Sequence, residues 1–347
     1  MRCNKKVNSK KTIVCFSSKV SNEVQNHLKK SFKTLSNVKL MFPEDTSDDY
    51  LKSIVSEVDV LIGWRPSKKL LESGKNLKVF INPGAGVNHL LDLFIELNRK
   101  RKVTLINGHG NSYFVAQHAI AMLLTLTNKT IPHHIWMKEG KWRTGDQDAA
   151  SIPLRFREVG LLGYGAINKK VHQFLTGFDV KFHILRKNWD KQKDKLPTEA
   201  KKYGIAEIDD FLEKIDVLMI AVPHTSLTSG LIKSRELKLL GPKGLIINVA
   251  RGDIINQEDL YNALKMETIL GAAIDVWYKY RPKANKEGLK YPYEFPFHNL
   301  DNIVLSPHRG YSPFSDLLRW NEIIENISRI SQGRSDLINI VNLKEEY

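Results

Sequence analysis

Three short stretches of this sequence hold residue types that suit chemistry. The first is VGLLGYGAIN, residues 159–168, an apolar run that turns through Gly163, Tyr164 and Gly165 into a helical stretch opened by Ala166 and Ile167. Glycines there let the backbone approach an anion, and the helix N-terminus offers N–H groups and a partial positive charge to a pyrophosphate. Asn168 stands where the usual pattern has its third glycine. A second apolar run, 180–185, follows at the spacing of a βαβ unit and strengthens the dinucleotide reading. It ends in FHILRKN, with Arg186 and Lys187 where an acidic residue usually accepts the ribose hydroxyls of NAD. Cations at that place pair with the 2′-phosphate of NADP, so NADP is favoured, with NAD the alternative if both side chains simply face solvent.

The second stretch is NVARGDIINQEDLYNAL, residues 248–264, in which Ala250, Arg251 and Gly252 fall at the carboxyl end of a buried strand. Ligands bind at that end of open α/β sheets, and the planar fork of an arginine suits an α-keto carboxylate. The third is LSPHRG, residues 305–310, where His308 follows a strand and a proline. Its ordinary pKa of about 6.5 suits a general acid/base for a carbonyl that becomes a hydroxyl. Taken singly, a salt-bridging arginine and a structural histidine are the commoner readings.

These residues need elements to carry them. Apolar runs at 12–16, 58–63, 77–82, 103–106, 158–162, 180–185, 217–221, 245–249, 271–275 and 302–305 read as strands, alternating with amphipathic helical stretches. Ten strands are too many for one ordinary sheet, so two doubly wound α/β units are expected. An apolar helix over 112–128 and a helix over 313–333 read as connectors. The chain would leave the first unit through one and return through the other, giving a discontinuous unit of 1–111 plus 314–347, a second unit of 112–313, and a cleft between them. The polar segment GKWRTGDQDAAS and the Lys-, Pro- and Tyr-rich stretch 278–297 read as loops. Trp136 and Trp142 are expected to pack the connecting segment. Adjacent His133 and His134 point in different directions on a helix and imply no metal.

Composition narrows the classes. The 347 residues carry 53 Lys plus Arg against 38 Asp plus Glu, a formal charge of +15, with 42% hydrophobic residues. The basic residues are dispersed, with no aromatic-interleaved stripe, so no nucleic-acid partner is expected. No apolar stretch approaches the length of a membrane span, and the Lys-rich start has no apolar signal core behind it, so neither a membrane partner nor export is expected and the default location is cytoplasmic. Cys3 and Cys15 are too few for a disulfide framework or a cysteine-ligated zinc, so redox chemistry would come from a bound cofactor.

Read in order, these motifs resemble the D-isomer-specific 2-hydroxyacid dehydrogenases. The matching pieces are NPGAGVNHL at 82–90, VAQHAIAMLL at 115–124, the Gly163 loop, PHTSLTSGLI at 223–232, NVARGDIIN, AAIDVW at 272–277, SPH at 306–308 and INIVN near the end. The resemblance implies two Rossmann-like units, a flavodoxin-like substrate unit and an NAD(P)-binding unit, a homodimer, and hydride transfer between a nicotinamide cofactor and a small anionic 2-ketoacid such as glyoxylate or hydroxypyruvate. It further implies that Arg251 binds the substrate carboxylate and carbonyl and that His308 gives or takes the proton. Backbone N–H groups of Gly84, Ala85, Gly86 and Val87 would hold the carboxylate, and Asn111 matches a substrate-binding Asn. Pro223, Thr228, Val249, Ala250, Asp275 and Gly310 would line the cofactor beside the Gly163 loop.

One position departs from the family. Where members place a Glu or Gln that pairs with the catalytic histidine, this chain has Tyr280, in DVWYKYRP. Three explanations follow, in this order: a Tyr280 hydrogen bond to His308, a replacement carboxylate from Glu287 or Glu294, or the loss of ordinary ketoacid reduction. The alternatives to ketoacid reduction are a formate dehydrogenase-like enzyme and a dinucleotide-sensing binding protein without turnover.

Overall fold

The computed structural model describes residues 11–143, 150–190, 195–311 and 316–347. The chain separates into two compact units, Met1–Asn111 with Phe314–Tyr347, and Ser112–Pro313. Each is built on one wholly parallel sheet.

The first unit holds strands β1 (Thr12–Phe16), β2 (Val38–Met41), β3 (Val60–Ile62), β4 (Val79–Asn82) and β5 (Thr104–Asn107), in the order β2-β1-β3-β4-β5. This is the flavodoxin-like winding. The central strands β3 and β4 are buried along their whole length, as expected for a parallel sheet covered on both faces. On one face Phe80 of β4 clusters with Phe94 and Leu97 of the helix Asn88–Lys100, and the other face packs on Ile323 and Ile327 of the helix Asn321–Ser331.

The second unit holds β6 (Glu158–Leu162), β7 (Lys181–Leu185), β8 (Ala200–Tyr203), β9 (Val217–Ile220), β10 (Leu245–Asn248), β11 (Gly271–Ile274) and β12 (Ile303–Leu305), in the order β12-β11-β10-β9-β6-β7-β8. The strand order reverses between β6 and β9, so that point is the topological switch where a dinucleotide binds in such folds. The helix Ser112–Thr127 lies against β10, β11 and β12, burying Ala116, Ala119 and Leu123 completely.

The ten expected strands are present, with shorter ends in most cases, and two more appear. Both additions, β2 and β8, are sheet edges. Their sequences, VKLM and AKKY, carry lysines and are largely solvated, which suits an edge that must not recruit another chain but hides it from a search for apolar runs. The helix expected over 313–333 is instead a 3-10 turn, Leu317–Trp320, followed by Asn321–Ser331, with residues 312–315 outside the described set. Trp142 is 74% exposed and does not pack the connecting segment as expected. Residues 144–149 of the polar segment and Cys3 also lie outside the described residues. No described helix is long and apolar enough to cross a membrane.

Candidate active site

At the end of β6 the chain turns at Gly163, whose φ of 82° is costly for any residue with a Cβ, and a Cβ there would fall 2.6 Å from Val222. Gly165 caps the helix Ala166–Leu175 and faces open space, since a Cβ there would meet nothing within 4 Å. An open glycine at a helix N-terminus, beside the switch point, leaves space for an anion at the positive end of the helix. Asn168, in place of the third glycine, is buried and donates to the carbonyls of Leu162 (3.2 Å), Gly163 (2.7 Å) and Met219 (3.2 Å). Its amide therefore ties the ends of β6 and β9 together, the close helix–sheet contact that a glycine otherwise permits. Tyr164 is buried, and its hydroxyl meets His172 Nδ1 at 2.8 Å. Burial pushes the His172 pKa down to about 4, so this ring is a neutral strut for the loop.

Arg186 and Lys187 follow β7 as the sequence placed them. The Arg186 guanidinium lies 5.5 Å from the Trp189 ring centre, and Lys202 of β8 lies 5.1 Å from the same ring. Trp189 is itself fixed by donating Nε1–H to Tyr203 O at 2.9 Å. The result is a cationic cluster on a rigid aromatic plate, beyond the strand that flanks the glycine loop. Thr228 spends its hydroxyl within its own turn, donating to Pro223 O at 2.6 Å and accepting from Thr225 N–H at 2.9 Å. It shapes the loop after β9. Val249 and Ala250 are buried at the end of β10.

Three neighbouring strand ends carry the residues of the candidate site. Arg251 follows β10, Asp275 follows β11, and His308 follows β12. Buried Asn248 shapes the first of these turns, accepting from Ala250 N–H (3.0 Å) and donating to Arg251 O (2.9 Å). Gly252 sits so close to the Trp277 backbone that a Cβ would fall 2.5 Å from it, which holds the Arg251 turn down on the neighbouring strand end. Arg251 Nη1 donates to Ala250 O at 2.6 Å.

His308 has a φ of 57°, left-handed and therefore strained for a histidine. The strain is held by Asp275, a carboxylate only 2% exposed. Its Oδ1 accepts from Ser306 Oγ (2.5 Å) and Arg309 N–H (2.7 Å), and its Oδ2 accepts from Gly310 N–H (3.0 Å). His118 reaches the same cluster, with Nε2 2.9 Å from Ser306 Oγ and 3.4 Å from Asp275 Oδ1. Burial works to raise the Asp275 pKa, but the hydrogen bonds from His118, Ser306 and the two amides outweigh it and keep the carboxyl below its usual range. Trp277 Nε1–H, donating to Ser306 O at 2.8 Å, fixes the other side of the turn.

The surroundings of His308 differ from expectation. Tyr280 meets the imidazole edge-to-face, with ring centres 5.3 Å apart at 62°, and Tyr311 does so from another side at 5.4 Å and 90°. No hydrogen bond joins Tyr280 to His308 among the described residues. The 278–297 loop is pinned by its aromatic rings, with Tyr293 on Trp277 and on Phe297, and Lys279 N–H, next to Tyr280, donates to Pro292 O at 2.9 Å. Glu294 pairs with Lys279 at 2.9 Å, and Glu287 is an exposed turn residue whose N–H donates to Asn285, so neither replaces the missing carboxylate. Burial pushes the His308 pKa below the ordinary imidazole value, Asp275 opposes that shift and Arg251 adds to it. Asp275 is thus the carboxylate that holds the turn carrying His308, through the Arg309 and Gly310 amides.

In the first unit, Gly84, Ala85, Gly86 and Val87 form the turn between β4 and the helix Asn88–Lys100. Trp64 stands against this turn, since a Cβ on Gly84 would fall 2.7 Å from its ring. Asn111 is the last residue of that stretch of the unit and is half-buried. Asn82, Asn107, His118 and Ser306 were not singled out from sequence. A polar residue closing an otherwise apolar strand, as Asn82 and Asn107 do, is the signal that marks the first two.

The family model for the D-isomer specific 2-hydroxyacid dehydrogenase, NAD binding domain, matches residues 120–310, more than half of the chain. The chain belongs to this family. Within it, the chain is 29% identical over 277 residues to a D-3-phosphoglycerate dehydrogenase of Archaeoglobus fulgidus, covering 79% of this chain and 49% of that protein. It thus spans about half the length of that relative. It is 27% identical to a hydroxypyruvate reductase of Thermotoga maritima, covering 82% of this chain and 88% of the other. The same fold occurs in a D-isomer specific 2-hydroxyacid dehydrogenase of Xanthobacter autotrophicus Py2 solved with NADPH and MES, with a TM-score of 0.76 and 22% identity over 97% of this chain and 100% of that one. Family membership accounts for the two parallel sheets and for the order of motifs along the chain.

Proposed function

We propose that the chain is an NADPH-dependent reductase of small 2-ketoacids, of the glyoxylate or hydroxypyruvate kind. The observation that carries this reading is the set of three adjacent strand ends presenting Arg251, Asp275 and His308 in one unit, with His308 locked in a strained turn by Asp275. Strain held by four separate hydrogen bonds is characteristic of a functional position rather than of a structural histidine.

When bound, the nicotinamide cofactor supplies the hydride that the carbonyl carbon accepts. The protein does the rest. In the first unit the amides of the 84–87 loop are the donors suited to a carboxylate. In the second unit Arg251 takes the carbonyl oxygen, drawing charge toward it as the C–O bond becomes single. The His308 imidazolium donates its proton to that oxygen and is left neutral. Asp275 stays ionised and favours the imidazolium that must form again. Tyr280 and Tyr311 pack edge-to-face on the ring without competing for its proton. Gly163, Gly165, Ala166 and Ile167 hold the pyrophosphate, and Arg186 with Lys187 meets the 2′-phosphate. The protein works in the cytoplasm and pairs as a homodimer in this reading.

NADPH consumption followed by its near-ultraviolet absorbance, with glyoxylate, hydroxypyruvate, pyruvate and phenylpyruvate in turn, tests the reading. Consumption is expected with at least one ketoacid, and NADPH should outperform NADH. In the double variant Arg186→Ala, Lys187→Ala the NADPH-over-NADH affinity ratio should fall by about 10–100-fold, the worth of one or two charge-assisted hydrogen bonds. An unchanged ratio removes both residues from cofactor selection.

A further inference from the structure

The carbonyls of Gly84, Ala85 and Gly86 are all turned toward the protein. Asn82, the last residue of β4 and 0% exposed, donates from Nδ2 to Gly84 O at 2.5 Å and to Gly86 O at 3.3 Å. Asn107, its register partner at the end of β5, donates from Nδ2 to Ala85 O at 2.8 Å. Gly108 N–H adds a bond to Gly84 O at 3.2 Å. In a planar trans peptide the carbonyl and the following N–H point in opposite directions. Carbonyls held inward at 84, 85 and 86 therefore send the N–H groups of Ala85, Gly86 and Val87 outward, and among the described residues these three amides meet no protein acceptor. Successive amides aimed one way form a concave donor set for an anion.

Asn82 gives up something for this. Its Oδ1 is buried without a hydrogen-bond partner. The opposite rotamer would set that oxygen against the two carbonyls, so the orientation is fixed by the bonds its NH2 makes. An apolar residue would fill the end of β4 with no orphan acceptor but would leave the loop carbonyls unheld.

We propose that Asn82 and Asn107 are positioning residues for the substrate carboxylate. They rotate the three peptide planes of the loop and so make it a carboxylate receptor. The inference rests on the ketoacid reading and adds the side chains that create its anion subsite.

The test compares glyoxylate with glycolaldehyde, the same aldehyde bearing a hydroxymethyl group in place of the carboxylate. In Asn82→Ala and Asn107→Ala, KM for glyoxylate should rise about tenfold or more, while kcat and NADPH affinity stay within about threefold. The ratio of kcat/KM for glyoxylate over glycolaldehyde should then fall by about tenfold. Asn107→Ser, which keeps a donor, should recover part of it. A merely structural role would depress both substrates alike, and an unchanged ratio overturns the proposal. Oxalate, titrated calorimetrically into the NADPH complex, separates this from the reduction itself. If the wild type reduces neither aldehyde, the ketoacid reading fails. Weaker oxalate binding in Asn107→Ala then still supports the positioning role, and equal affinity, or no oxalate binding by the wild type, overturns it.

Discussion

Replacing Arg251 with alanine should lower kcat/KM for the ketoacid by about 10²–10⁴-fold and leave NADPH affinity within about threefold, because the loss is that of two charge-assisted hydrogen bonds at about 1.5–3 kcal/mol each. The size of the effect follows from how firmly the side chain is placed. Asn248 braces both sides of the Arg251 turn, and Gly252 packs its backbone on that of Trp277. Arg251→Lys keeps the charge but not the planar fork, so it should recover only part of the activity. Steady-state kinetics with a separate NADPH titration reads both quantities. Wild-type activity in Arg251→Ala would remove this residue from the chemistry.

His308→Gln should lower kcat by about 10²–10⁴-fold, the usual contribution of a positioned acid/base. The pH profile carries more information. Ketoacid reduction needs the imidazolium, whose population falls as pH rises through the His308 pKa. Burial sets that pKa below the ordinary value, with Arg251 pushing the same way and Asp275 against it. Reductive kcat/KM should therefore begin to fall at a pH below about 6.5, while hydroxyacid oxidation, which needs the neutral ring, should persist to lower pH than an ordinary histidine would allow. Tyr280→Phe keeps the ring contact and should leave the limb in place, as should Glu287→Gln and Glu294→Gln. Asp275→Asn removes the charge that favours the imidazolium and weakens the turn that holds it, so the limb should move to lower pH and kcat should fall. A limb that moves with Tyr280→Phe instead would restore the tyrosine hydroxyl as the partner.

Much of this was legible in the residues. Buried parallel strands read as uninterrupted apolar runs, which is why the central strands of both sheets and the placement of Arg251 and His308 at strand ends emerge directly. The edges β2 and β8 were hidden because solvated, Lys-bearing strands lack that signal. The glycine loop was visible, but not that Asn168 substitutes hydrogen bonds for a glycine's close contact. Tyr280 was recognised as a departure, yet its edge-to-face packing depends on a loop held by distant aromatic rings, which no local pattern encodes. The Asp275 hub joins residues from one helix and two strand ends, separated by up to 188 positions. Such long-range juxtapositions appear only once the sheet order is known.

The central claim is that a hydride passes from the nicotinamide to the carbonyl carbon of a 2-ketoacid. It is tested most directly by incubating the protein with hydroxypyruvate or glyoxylate and NADPH deuterated at the transferable position of the nicotinamide ring, then locating the deuterium by NMR. Deuterium is expected on C2 of the hydroxyacid product, in the D-isomer for hydroxypyruvate, and is lost in Arg251→Ala. Tight NADPH binding with no deuterium transferred to either ketoacid would contradict it.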